Sequence, residues 1–242
     1  MKNYRSLVTE MKLSLQYHDS LNPKLWNDFK LDPEVRLKLL QFAEAWRQFA
    51  KIPNSAVLDV YMLGGNTNYN YTEMSDIDVH LVVDKCKIAD CDNPLLDDYL
   101  QDKKQMWTMS HNVKVKGYAI EPYAQDSNDT AAKKDQGVFS LMRNEWVTKP
   151  HFVGDGMLKN PYLKKKVRFY MKMIDDMIKS KASDEAFGNL REKLRLMRGS
   201  AIEKGGEFSF ENLVFKELRN RGYLDKMSKY LKSRQDQSLS LE

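Results

Sequence analysis

The spacing of hydrophobic and polar positions changes period several times along the chain, and each change predicts an element. Asp32-Pro33-Glu34 offers a cap, a first-turn proline and an acid; behind it Val35, Leu39, Leu40, Phe42, Ala43, Trp46 and Phe49 recur at helical spacing. That pattern predicts a helix running to about Ala50 and stopping before Pro53. Residues 1 to 30 read as an irregular or short-helical lead-in, with a turn at Asn22-Pro23 ahead of Trp26. Two strand-like runs follow, at about 56 to 63 and 77 to 83, joined by a polar loop that opens with Gly64-Gly65. Pro94 starts a second helix through Leu95, Tyr99, Met106 and Trp107. The runs Val113 to Val115 and Tyr118 to Tyr123, split by Lys116-Gly117, read as a β-hairpin. After a polar loop over 126 to 136, Val138 to Met142 and Trp146 to Thr148 predict another short hairpin.

The second part of the chain is helical in pattern. Asn160-Pro161 repeats the cap-plus-proline signal, with Leu163, Val167, Tyr170, Met171, Ile174, Met177 and Ile178 on one stripe. Ser183 caps a second helix carrying Leu190, Leu194 and Met197, which ends at Gly205-Gly206. A third follows Ser209 and stops at Gly222, Tyr223 to Leu231 makes a fourth, and residues 235 to 242 read as a disordered tail. The order predicts an α+β domain over residues 1–150, a mixed β-sheet with flanking helices, followed by an α-helical bundle over 151–234.

Composition narrows the classes. A chain of 242 residues that is 42% apolar can bury one or two cores, while 30% charged residues and no long apolar run exclude a membrane span. The start, Met1-Lys2-Asn3-Tyr4-Arg5, lacks an apolar stretch of signal-peptide length behind it, which places the expected site of action in the cytoplasm. Cys86 and Cys91 are too few to frame a fold or a zinc site and are expected to be free thiols near a surface loop. The net charge of +5 is unevenly placed: residues 1–150 hold 19 cations and 21 anions, residues 151–234 hold 20 and 11. The basic part suits a phosphate-rich partner; a bundle with solvated Lys and Arg faces is the plain alternative.

The loop and strand from Gly64 to Asp84 carry the candidate chemistry. Successive strand side chains alternate, so Asp76 and Asp78 project together while Ile77, Val79 and Leu81 point to a core. Two carboxylates side by side repel each other unless a divalent cation lies between them. Ala119, Glu121 and Tyr123 share a face of the hairpin strand, which makes Glu121 a core-facing acid in need of a partner. If that hairpin pairs with the strand of Asp76, the three acids converge beside a turn whose bare glycine backbone lets a phosphate approach. Asn66, Asn68 and Ser75 are candidate contacts to phosphate or sugar, with ordinary loop residues the alternative, and Tyr69 and Tyr71 either stack a base or cover the core. His80 reads as a packed, hydrogen-bonded histidine, and Lys164-Lys165-Lys166 with Arg168 as either a grip on nucleic acid or triphosphate or a solvated face.

Gly64-Gly65, a gap, then Asp76-Ile77-Asp78 opening a strand, and a later strand acid, resemble the polymerase-β-like nucleotidyltransferase superfamily. The strings Asn68-Tyr69-Asn70-Tyr71-Thr72, Glu121-Pro122-Tyr123-Ala124-Gln125-Asp126 and Glu211 to Leu218 are similar to the small nucleotidyltransferases of tailed bacteriophages, over about Leu21 to Leu231. The resemblance implies a nucleotidyltransferase-type sheet followed by a helical domain, with the active site expected in the cleft between them. It also implies Mg²⁺, with Mn²⁺ the alternative, held by Asp76, Asp78 and Glu121, Glu121 helping to activate the attacking hydroxyl. Gly64, Gly65, Asn66, Asn68 and Ser75 would then line the nucleotide site. The implied reaction moves a nucleoside monophosphate from a nucleoside triphosphate to a hydroxyl, an RNA or tRNA end or a nucleotide, and releases pyrophosphate. Members more often carry Ser where this chain has Gly65, which puts side-chain capture of phosphate on Asn66 or Thr67. A catalytically silent nucleotide- or nucleic-acid-binding module, or a host-enzyme inhibitor on the same fold, is the alternative.

Overall fold

A computed structural model of the chain describes residues 11–90, 93–129 and 136–241. They form two compact units, 17–153 and 11–16 with 154–241. The first unit contains β1 (Trp26–Asn27), β2 (Lys30–Leu31), α1 (Pro33–Phe49), β3 (Val57–Leu63), β4 (Ile77–Val83), α2 (Leu95–Ser110), β5 (Lys114–Val115), β6 (Tyr118–Asp126), β7 (Val138–Ser140) and β8 (Glu145–Thr148). The fold is thus mixed α/β, consistent with the expected α+β class.

Six strands make one sheet in the order β5-β6-β4-β3-β7-β8, and β1 pairs with β2 separately. Within the large sheet β4 and β6 run parallel, and the other pairs are antiparallel. A parallel pair cannot be joined by a tight turn, and α2 lies in the connection between the two strands. At the start of α1 the Asp32 carboxylate accepts the Glu34 and Val35 N–H groups at 2.8 and 3.1 Å, as a cap followed by proline should. The β5–β6 turn places Lys116 and Gly117 at φ 50° and 93°, the pair of positive values that a two-residue hairpin loop requires.

The core lies on one face of the sheet. Val35, Leu39, Phe42 and Trp46 of α1 and Leu96, Leu100 and Trp107 of α2 pack in one cluster with Ile77, Val79 and Leu81 of β4 and Ile120 of β6. The alternate residues of β4, Asp78 and His80, are only half-buried. The same alternation on β6 corrects the expectation for Glu121: Tyr118, Ile120 and Pro122 take the buried side, and Ala119, Glu121 and Tyr123 face away from the core. The period of 2 was read with the wrong phase, because Ala and Tyr look as apolar in sequence as the residues they alternate with.

The second unit packs α3 (Pro161–Lys179), α4 (Asp184–Gly205), α5 (Phe210–Asn220) and α6 (Tyr223–Leu239). Leu163, Val167 and Ile174 of α3 meet Phe187 and Leu194 of α4 and Leu213, Val214 and Leu218 of α5 in one buried cluster. Residues 11–16 belong here and not with the lead-in to the sheet. The reason is Glu217, fully buried on α5, whose carboxylate accepts the Ser14 N–H at 3.0 Å and the Ser14 hydroxyl at 2.7 Å and pairs with Arg221 at 2.6 Å. Two more expectations change. The stretch expected to be a disordered tail from residue 235 stays helical to Leu239, and the Ser240 N–H closes on the Asp236 carbonyl at 3.0 Å. Cys86 is disulfide-bonded and not a free thiol; Cys91 lies outside the described residues, as does the greater part of the expected loop at 130–135. Whether two cysteines bridge is set by the distance between them in space, which spacing in sequence leaves open. Among the described residues no helix is long and apolar enough to cross a membrane.

Candidate metal centre

The acids come from two neighbouring strands and the residues just before one of them. In the parallel register Asp78 of β4 stands opposite Glu121 of β6, and Leu63, the last residue of β3, stands opposite Asp78 on the other side. Cross-strand partners share a face, so Asp78 and Glu121 project together, and Asp76, two positions earlier, follows the same alternation. One carboxylate oxygen from each of Asp76, Asp78 and Glu121 lies within 4.8 Å of the others, and all three residues are half-buried. Three oxygen donors at that separation, open to solvent on one side, suit a hard divalent cation that keeps part of its water shell. The three predicted ligands are therefore brought together.

Next to them the chain turns out of β3 through Gly64, at φ 90° and ψ −161°. That region is essentially restricted to glycine. A Cβ at this position would stand 2.1 Å from Asp78 Oδ2, so the glycine is what lets the carboxylate sit against the backbone. Gly65 then begins a single 3₁₀ turn through Thr67, and a Cβ there would meet Ser75 Oγ at 2.9 Å. The Ser75 hydroxyl thus fills the space beside Gly65. It is held by the Thr72 N–H, which donates to it at 2.9 Å, and stays half-buried.

Asn66 and Asn68, expected as direct contacts, are buried beneath the loop. The Asn66 amide accepts from Asn22 Nδ2 at 2.8 Å and donates to the Asp76 carbonyl at 2.9 Å. Asn68 Nδ2 donates to the Gly64 carbonyl at 2.6 Å, and its oxygen accepts the Gly137 N–H at 2.9 Å. Thr67 is buried as well, its hydroxyl lying 2.9 Å from the Gly64 carbonyl and 2.8 Å from that of Gly137. These side chains hold the turn and the backbone of Asp76 in place. The two tyrosines of the loop face the protein: Tyr69 is buried edge-on to Phe152. Tyr71 stacks on His18 at 3.8 Å, and burial raises its phenol above the ordinary value.

Lys104 is the neighbour that the sequence did not single out. From α2, where it is half-buried between Leu100 and Trp107 on the inward stripe, its ammonium reaches within 3.6 Å of Glu121 Oε2 and lies 5.4 Å above the Tyr123 ring. Of the two lysines of α2, helical spacing puts Lys104 on the stripe of Leu100 and Trp107, a signal that was there to be used, but it does not say which acid the stripe meets. Asn22 was likewise legible only as a turn residue. His80 is packed as expected, with Nδ1 3.0 Å from Gln125 Oε1 and its ring 4.9 Å from Tyr123.

No family model, curated protein or solved structure matches the chain.

Proposed function

We infer that the protein is a metal-dependent nucleotidyltransferase acting through Asp76, Asp78 and Glu121. One observation carries the reading: three carboxylates within 4.8 Å of one another, next to a turn that closes on them only because residue 64 is glycine. The donor set fits Mg²⁺ or Mn²⁺, both of which prefer carboxylate and water oxygens. When bound, such ions neutralise charge on the triphosphate and on the pyrophosphate that leaves.

The chain's own residues have separable parts in this reading. Asp76 and Asp78 would hold the ions with Glu121, whose carboxylate would also take the proton of the acceptor hydroxyl. The acceptor oxygen bonds to the α-phosphorus as the bond from that phosphorus to the pyrophosphate oxygen breaks. Gly64 and Gly65 expose backbone to the phosphates, the Ser75 hydroxyl stands where a side chain at 65 would otherwise be, and Asn66 and Asn68 keep the turn in shape. Lys104, on the Glu121 side, adds positive charge next to the reacting groups. The substrate classes are a nucleoside triphosphate and a hydroxyl acceptor, with an RNA end or a nucleotide favoured by the basic second unit.

The test is transfer of label from each α-labelled triphosphate to host RNA, nucleotides or protein in the presence of Mg²⁺ or Mn²⁺. Transfer that disappears in Asp76→Ala/Asp78→Ala and in Glu121→Gln is the expected result. No transfer with any triphosphate and acceptor, or transfer that survives loss of the acids, overturns the reading. Nucleotide binding that persists without metal and without the acids would instead mark a silent binder.

A further inference from the structure

The basic run of α3 is divided by the bundle. Lys166 turns inward, pairing with Glu211 at 3.3 Å and lying 5.4 Å above the Phe210 ring, and Lys164 is half-buried. Lys165 and Arg168 turn outward, on the side opposite the stripe of Leu163, Val167, Tyr170 and Ile174 that fills the core. Two aromatic rings share this outer side: Tyr162 is 66% exposed and Phe169 is 56% exposed. They are seven positions apart, close to two full turns, so they stand in line about 10 Å apart along the helix. Lys165 Nζ lies 5.3 Å from the centroid of the Tyr162 ring, and Lys172 and Lys179 continue the exposed basic row, with Asp176 as its one acid.

Exposed aromatic rings interleaved with cations are what a single-stranded nucleic acid needs: faces on which bases stack and charges that meet the phosphates between them. An axial span of about 10 Å corresponds to about three stacked nucleotides at a rise of about 3.4 Å. A lipid surface fits less well, because a helix lying in a bilayer interface requires a broad apolar face and this one offers two apolar residues among cations. We propose that the outer face of α3, centred on Tyr162, Lys165, Arg168 and Phe169, binds a single-stranded nucleic acid. The proposal takes from the reading above only the class of acceptor; the binding itself needs neither metal nor triphosphate.

The experiment uses the full chain and a 5′-fluorescein oligouridylate of about 12 nucleotides, within the usual site size, followed by anisotropy over a range of salt concentrations without metal. Tyr162→Ala/Phe169→Ala is expected to weaken binding by about 30-fold or more, and Tyr162→Trp/Phe169→Trp to restore it. Lys165→Gln/Arg168→Gln is expected to reduce the slope of log affinity against log salt by about 1.4. All these positions are exposed, so the variants should melt with the parent, and a melt of each checks this. Absence of oligonucleotide binding, or equal binding by parent and aromatic variant, overturns the proposal. So does a loss shared equally by a duplex, or one seen for vesicles of anionic and neutral phospholipid and not for the oligonucleotide. Asp76→Ala/Asp78→Ala should bind the oligonucleotide as the parent does. Loss of transfer with binding intact therefore bears on the catalytic centre, and transfer without dependence on Tyr162 and Phe169 bears on α3.

Discussion

Replacing Gly64 by alanine tests the geometry of the acid cluster without touching an acid. At φ 90° and ψ −161° a residue with a side chain is strained, by about 1–3 kcal/mol. The new methyl would also stand 2.1 Å from Asp78 Oδ2, which is 1.3 Å short of the 3.4 Å at which ordinary contact begins. Either the carboxylate or the turn must move by roughly that amount, and a movement of 1 Å is enough to spoil a ligand set. Gly64→Ala should therefore lower stability by about 3 kcal/mol and weaken Mn²⁺ binding, read by calorimetry or by the paramagnetic signal of the free ion. Strain and clash separate in a double-mutant cycle. In an Asp78→Ala background the nearest Asp78 atom left is Cβ at 3.7 Å, so only the strain of about 1–3 kcal/mol should remain. Gly65→Ala is the matched control, since its methyl meets the Ser75 hydroxyl at 2.9 Å and no carboxylate of the cluster. A Gly64→Ala protein that melts and binds Mn²⁺ like the parent would refute the reasoning.

Three further outcomes follow from the contacts. Asn66→Ala leaves Asn22 Nδ2 and the Asp76 carbonyl without their partner and should cost about 2–4 kcal/mol in denaturant unfolding. Glu217→Ala removes the acceptor that ties residues 14 and 15 to α5 and takes away the ion-pair partner of Arg221, whose other hydrogen bond, to the Lys12 carbonyl, remains, so it should destabilise by about 3 kcal/mol and speed amide exchange at Ser14 and Leu15. Glu44 is held at a pKa of about 2, down from 4.5, chiefly by its hydrogen bond from Arg47. Because the folded value is the lower one, the pair stabilises the fold above about pH 4.5 and loses that contribution as pH falls through 2. The Glu44 side chain is 49% exposed, and solvent screening keeps the contribution below about 1 kcal/mol. The stability difference between the parent and Glu44→Gln should therefore shrink between pH 4.5 and pH 2 and not elsewhere.

Elements set by local signals were legible in the chain. The Asp32-Pro33 and Asn160-Pro161 helix starts, the Lys116-Gly117 turn and the buried alternation of Ile77, Val79 and Leu81 all stand as read, because caps, glycine turns and periodic burial act over a few residues. The hairpin of β1 and β2 was missed, since two-residue strands carry no period. Of the candidate site residues, the three acids were legible by type and spacing, while the face that Glu121 takes was not. Asn66, Asn68 and Thr67 look like surface contacts in sequence because polar loop residues usually are, and their burial follows from backbone carbonyls that needed donors.

By itself the sequence determined the longer strands and the starts of the helices, that the second part is basic, and that Asp76 and Asp78 alternate onto one side at the start of a strand. Only the tertiary structure decided that β6 lies parallel to β4 with Glu121 opposite Asp78, that Lys104 approaches that pair, and that Lys166 turns inward while Tyr162 and Phe169 stay outside. The physical reason is the range of the interactions. Dihedral preferences and capping bonds are complete within one turn of chain, whereas strand partners and ion pairs are selected by burying a common core across tens of residues.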